Sequence, residues 1–528
     1  MMRSTFYAAL WLSFTSMFLL PPDIARAQET GFGAGGKFTI LHTNDLHGHL
    51  TPWRGWEGEL AGKTLGGMDR LSSAVKQVRT EIGAESVMLL DAGDTLGDTM
   101  IADETKGKAV VDVMNALNYT AMVIGNHEPD FTAATLKQRI AEAKFPVLAA
   151  NITEKNTGRL YARPFIIKEI NGVKVGILGL AYPNTPLTTA KKNVSGLTFR
   201  DAPGVAREYI PQLKKKGAEI IVVLSHYGLS ADKKLAKQVS GIDIIIGGHS
   251  HNRMNQALRE SNTIIVQAGA HGSDLGRLDV EVKKGKIVSS KHSLIRLDNA
   301  TIASDPEVAG IIEAALTPHK TKLDEGVGEA AGAITRAQTI AGEEPGKRDQ
   351  ESPADSLFAD IIRKKTNADV AILPGVGYGT SIPAGKINAA DLRNLIPHSS
   401  VMVTMTLKGS QIREILEQSL ENTYTDNPKK KVGGIAQVSG IIFKYKAEAS
   451  YPHRLVEVRV NNVPLNAQRD YKVATNSMLA EGGHNYKTFL RGRNKQQGEP
   501  QYELVKGEIK KLGSISTPEP GRIEKVEN

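Results

Sequence analysis

Val87-Met88-Leu89-Leu90-Asp91-Ala92-Gly93-Asp94-Thr95 is a short apolar run that stops at two carboxylates separated by Ala-Gly. The run has the length of a buried strand, and glycine allows a sharp turn after it. Asp94 then stands at the mouth of the strand, where α/β proteins keep their ligands. One Asp after one strand is more often a cap or turn residue. Here the pattern recurs. Phe38–Asn44 runs into Asp45-Leu46-His47, Ala121–Gly125 into Asn126-His127-Glu128, Ile220–Ser225 into His226, and Ile242–Gly248 into His249-Ser250-His251. Five strand candidates thus end in Asp, Asn or His, the oxygen and nitrogen donors of divalent zinc or manganese.

The chain has 528 residues, more than one core usually accommodates, and two or more domains are expected. Its formal charge is +9. The basic residues are dispersed, so anionic small substrates are favoured and nucleic acid is not. With no cysteine there are no disulfides, no thiolate ligands and no lipid-modified cysteine. Arg3, the apolar Phe6–Leu20 and Ala25-Arg26-Ala27 form a secretory leader ending near Ala27. Its apolar core falls short of the ~20 residues that span a membrane, so no stable membrane anchor is expected. The mature chain is expected in the periplasm or secreted.

After the leader (1–27), helical spacing at Met68, Leu71, Val75, Val78 and Ile82 opens a strand–loop–helix rhythm. Helices over Val110–Leu117, Ala133–Ala143 and Pro203–Lys216 continue it. This predicts an α/β domain over 36–297. Asp305–Leu323 reads as a linker helix within 298–330, and 331–522 as a smaller α+β domain.

Two cations about 3.5–4 Å apart need one bridging carboxylate and several neutral donors. Asp94 is the natural bridge. Asp45 and His47 can face one ion, Asn126, His226 and His249 the other, and His251 can return to the first. A hydroxide between the ions would attack phosphorus in line.

Asp45-x-His47, Gly93-Asp94, Gly125-Asn126-His127-Glu128, Ser225-His226 and Gly247-Gly248-His249-Ser250-His251 resemble the calcineurin-type metallophosphoesterase signature. Thr43-Asn44-Asp45-Leu46-His47-Gly48 narrows the likeness to the 5′-nucleotidase family. The resemblance implies a four-layer αββα domain followed by a substrate-binding domain. It implies two divalent ions (zinc, manganese or similar) on Asp45, His47, Asp94, Asn126, His226, His249 and His251. It also implies a catalytic His127 oriented by Asp130, and hydrolysis of nucleotide phosphoesters. Tyr486 stands where the family stacks a nucleobase, and Ile435 where it has a second aromatic ring. Tyr378 lies in the run that replaces the family's glycine-rich, arginine-bearing loop, and Arg348 is a further candidate for the pocket.

Asp355-Ser356-Leu357, Pro374-Gly375-x-Gly377-Tyr378-Gly379-Thr380 and Asn427-Pro428 also resemble the thiosulfohydrolases, which cleave a sulfonate from a carrier protein. That alternative would make a protein the partner. A third reading is a binding protein that retains the metal site without turnover. Among the remaining candidates, His42, Asp91 and His271 read as structural, and His49 as a loop or solvent residue.

Overall fold

The computed structural model describes residues 36–55, 60–336, 349–375, 379–398, 400–427 and 430–527. The first domain is built on two six-stranded sheets. One has the order Lys286–Arg296, Asp274–Lys283, Lys37–Thr43, Val87–Asp91, Ala121–Val123, Val147–Leu148. The other runs Leu258–Glu260, Thr263–Val266, Ile244–Gly247, Ile220–Ser225, Val173–Leu180, Phe165–Ile170. Neighbours at the centre of each sheet are parallel and those toward the hairpin edges antiparallel.

Side chains alternate across a strand, so each central strand needs two apolar partners. Phe38, Ile40, Met88, Leu90, Val222, Leu224, Ile244 and Ile246 point between the sheets into one core. Leu41 and Leu89 point the other way, toward helices Met68–Ile82 and Lys108–Ala116. Ile221, Val223 and Ile245 point toward helices Ala202–Lys215 and Leu229–Gln238. The result is helix, sheet, sheet, helix. The five loops that carry the candidate donors leave their strands at one end of this sandwich because those strands are parallel within each sheet.

The expected linker helix is broken. Pro306–Leu316 is helical, Thr317–His319 is a 3₁₀ turn and Lys320–Leu323 a last short helix. Pro318 lacks the N–H that a continuous helix would need. The segment packs on Met68–Ile82 and Lys108–Ala116 and so extends the first domain's outer layer. Gly326–Ala330, placed with the linker by its sequence, pairs with Gly385–Asn388 and Ser514–Ile515 of the second domain. That domain centres on a five-stranded sheet in the order Gln437–Ser439, Val370–Leu373, Asp470–Asn476, Val401–Lys408, Arg493–Pro500. The segment read from the sequence as a secretory leader lies outside the described residues.

Candidate dimetal site in the interdomain cleft

The strand ends are tied together before any side chain is considered. Asp45 N–H donates to Gly93 O and His47 N–H to Asp94 O, both at 2.9 Å. Asp45, His47, Asp94, His249 and His251 all take left-handed backbone, with φ of 52°, 47°, 54°, 72° and 57°. Such strain in non-glycine residues persists only where surrounding contacts over-determine it. Gly125 is part of that enforcement: a Cβ there would stand 2.2 Å from Asp94 Oδ1.

The loops bring two clusters together. Asp45, His47 and His251 form one, and Asp94, His226 and His249 the other. Within each, the potential donor atoms lie within 4.8 Å of one another. Asp45 Oδ1 is 4.0 Å from His226 Nε2, which places the clusters side by side. Asn126 is buried beside them, and its Oδ1 has no hydrogen-bond partner.

The histidine tautomers are set from behind. His226 Nδ1–H donates to Ala92 O at 2.7 Å, which turns Nε2 toward Asp94 Oδ2, 2.8 Å away. His47 Nδ1–H donates to Asp98 Oδ2 at 2.6 Å, and its Nε2 faces His251 Nε2 at 3.1 Å. Facing imidazole nitrogens, an unsatisfied amide oxygen and buried carboxylates form a set that a divalent cation satisfies. The residues present therefore fit such a cation.

The electrostatics agree. Burial, partly offset by His226, pushes Asp45 up to about 6. Burial would also raise Asp94, but His226 and His127 hold it well below the usual carboxylate range. For His127, burial opposes charge, yet Asp98, Asp94 and Asp130 raise it well above the ordinary imidazole value.

His127 Nδ1–H donates to Asp130 Oδ2 at 2.7 Å, so the pair read from the sequence is in contact. Asp130 is held by the Thr189 hydroxyl, and its backbone carbonyl accepts from Asn193 Nδ2 at 2.8 Å. His398 of the second domain stacks on His127 with centroids 5.6 Å apart and planes 24° apart. Arg393 Nε of the same segment donates to Asp103 Oδ2 of the first domain at 2.7 Å. The domains thereby enclose a cleft of about 990 Å³ with the site on its wall.

Four further site residues receive no role from the sequence. Asp98 follows no strand, yet it fixes His47. Glu128 was visible in its motif but without a role. Its buried carboxylate accepts from the backbone N–H groups of Asp94, Thr95, Leu96 and Gly125 at 3.1, 2.7, 3.2 and 2.6 Å. Tyr182 stacks on His249 with centroids 4.0 Å apart. His398 lies far along the chain from His127, and no local pattern in the sequence marks it.

Asp91 is buried and accepts from Thr43 Oγ1, Thr95 Oγ1 and Gly93 N–H, so it supports the turn that presents Asp94. His42 is buried against His292, with Nε2 atoms 3.1 Å apart. His49 departs from expectation. It is 5% exposed and packs on His271 at 4.6 Å, and burial among imidazoles lowers it to about 3. His271 N–H donates to Asp45 O at 2.8 Å, so its backbone braces the site.

The proposed base-stacking residues fare differently. Tyr486 is 1% exposed and packs against Phe489 in the second domain's core, and Ile435, fully buried, belongs to the same cluster. Neither lines the cleft. The apolar demand of that core outweighs exposure of a ring to solvent. Arg348 and Tyr378 lie outside the described residues.

Replacing Asp98 with Asn is expected to weaken cation affinity about 10–100-fold, because Asp98 sets the His47 tautomer and basicity. Titration of the stripped protein with zinc or manganese measures this. Unchanged affinity would remove Asp98 from the site.

The calcineurin-like phosphoesterase family model matches residues 38–253, and the 5′-nucleotidase C-terminal domain model residues 328–491. The chain belongs to the 5′-nucleotidase family of calcineurin-like phosphoesterases. It is 29% identical to the trifunctional nucleotide phosphoesterase protein YfkN of Bacillus subtilis over 92% of its own length. It spans only 35% of that longer protein. Among solved structures, a 5′-nucleotidase precursor from Thermus thermophilus superposes with a TM-score of 0.84 at 26% identity, covering 93% of this chain and all of the other. The sulfate thiohydrolase SoxB of Thermus thermophilus also superposes with a TM-score of 0.84, covering 93% of this chain and 97% of the other. At 22% identity that likeness extends to the fold. The family's two-domain order is the one expected from the sequence.

Proposed function

We propose that the chain is a metal-dependent phosphoester hydrolase that acts on nucleotides outside the cytoplasm, in the periplasm or after secretion. The observation that carries this reading is the convergence of the two His/Asp clusters beside the His127–Asp130 pair on the wall of one cleft. The calcineurin-like phosphoesterase match over the first domain and the 5′-nucleotidase C-terminal match over the second support the substrate class. The secretory leader supports the compartment. No helix among the described residues is long and apolar enough to cross a membrane.

Asp45, His47 and His251 would hold one zinc or manganese ion, and Asn126, His226 and His249 the other, with Asp94 shared. The cations, when bound, supply Lewis-acid stabilisation of charge on the phosphoryl oxygens. The protein's own groups do the rest. Asp130 fixes the proton on His127 Nδ1, which leaves the Nε2 side of the ring for the transferring phosphoryl group. The carboxylates around the ring favour its charged form, suited to an oxyanion. Tyr182 stacks on His249 and limits its rotation. Arg393 and His398 wall the cleft from the second domain.

The test strips the mature protein of metal and reloads it with zinc or manganese. Phosphate release from nucleotides is expected only after reloading. His127→Ala is expected to lower kcat about 10²–10⁴-fold, the usual share of a positioned acid–base group, with metal content unchanged. Sulfate release from a thiosulfonate-bearing peptide with nucleotides untouched would replace this reading with the thiosulfohydrolase one. Affinity for a nucleotide without hydrolysis would replace it with a binding protein.

A further inference from the structure

The cleft wall beside the clusters is basic. Helix Leu229–Gln238 starts three residues after His226 and lines the cleft with Lys233, Lys234 and Lys237. The short helix Lys191–Val194 adds Lys191 and Lys192. All five belong to the first domain, the one that carries the ligand histidines.

The longer helix is anchored to the site. Leu229 N–H donates to Ser250 Oγ at 2.9 Å, and Asp232 accepts from Ser225 Oγ at 2.6 Å. A Cβ at Gly228 would stand 3.4 Å from the His249 ring. With about 5.4 Å of rise per turn, Lys233 and Lys237 stand roughly one and two turns from the His226 loop. Their spacing of four residues puts them on one face.

Most of this charge has no carboxylate opposite it. Lys191 and Lys234 donate to the backbone carbonyls of Glu481 and Asp426. Lys237 meets Glu260 at 3.5 Å, while Lys192 and Lys233 make no ion pair among the described residues. The acids nearest the reaction centre are already engaged. Asp94, Asp98 and Asp130 face imidazoles, and Asp103 faces Arg393. Asp426 and Glu481 remain, both on the second domain. Tyr486 and Ile435 are meanwhile buried, and the rings that line the cleft beside these lysines include Phe131, Tyr182 and Tyr227.

We propose that this lysine wall binds the leaving group, and that the site prefers nucleoside di- and triphosphates to monophosphates. The inference rests on the nucleotide reading above and names the part of the nucleotide that is recognised. Water oxygen bonds to the terminal phosphorus as the bond from that phosphorus to the bridging oxygen breaks. The electron pair leaves with the shortened nucleotide, whose new charge faces Lys233 and Lys237. The water proton passes to solvent. Phosphate oxygens gain charge-assisted hydrogen bonds from ammonium groups, whereas the nucleoside released from a monophosphate carries no phosphate to offer them.

The experiment compares kcat/KM for ATP, ADP, AMP and an aryl phosphate on the metal-loaded mature protein and on a Lys233→Gln/Lys234→Gln/Lys237→Gln variant. The wild type is expected to favour ATP over AMP by about tenfold or more, with steeper salt dependence for ATP. In the variant that ratio is expected to collapse toward one. Lys191→Gln/Lys192→Gln, on a separate element, is expected to lower the same ratio, so the result does not depend on one helix folding. A wild type that prefers AMP, or variants that lower all four substrates equally, overturns the lysine wall. Cleavage of the aryl phosphate with no nucleotide accepted overturns the nucleotide reading itself.

Discussion

Asp94→Asn is expected to lower metal-dependent phosphate release by roughly 10³-fold or more and to reduce bound metal from two ions per chain to one or none. The substitution is nearly isosteric. Its amide oxygen can still accept the His127 N–H that Asp94 Oδ1 accepts at 2.8 Å, so the loop keeps its main tether. What disappears is the negative charge beside His226, 2.8 Å from Nε2, at a carboxylate only 2% exposed. A neutral amide cannot offer a negative oxygen to two cations. The melting temperature should therefore move little while metal content and turnover fall together. Metal analysis by mass spectrometry and phosphate release measure the two effects. Activity within tenfold of wild type would mean that Asp94 is not the shared donor.

Glu128→Ala is expected to act by a different route, through the fold of the site. The carboxylate accepts four backbone N–H groups from two separate loops, those of Asp94–Leu96 and Gly125. It is only 1% exposed, so its removal strands four donors away from bulk water. Removing one partner of such a buried charged network costs about 3–5 kcal/mol. Thermal melts and urea titrations should show that loss, and cation binding should weaken with it because Asp94 and Asn126 are no longer held. Glu128→Gln separates charge from shape: its amide nitrogen must face N–H donors, so most of the destabilisation is expected to remain. A Gln variant with wild-type stability and metal content would show that the four contacts are dispensable.

The different legibility of the two residues has a physical cause. Asp94 ends an apolar run and so announces itself locally. Glu128 acts 33 residues away, on the N–H of Thr95, and nothing in its neighbourhood records that contact. Asp98 is similar, since its partner His47 belongs to another loop. Helix Leu229–Gln238 was missed because its lysines interrupt the apolar face. Strand Arg493–Pro500 was missed because every residue in it is exposed, which leaves no period of two to read. Tyr486 was placed in the pocket by its position after two glycines, but side-chain packing turned it into the core.

The sequence by itself determined the layered first domain and the ends of its five central strands. A strand buried on both faces must be apolar along its length, and a polar donor at its end then has few structural explanations. Only the tertiary structure decided which of those donors face one another, which carboxylates set their tautomers, and how His398 and Arg393 close the cleft. It also gathered the lysines of two separate helices on one wall. Contacts between residues far apart in the chain depend on how the sheets stack and the domains dock, and neither leaves a periodic trace in the local sequence.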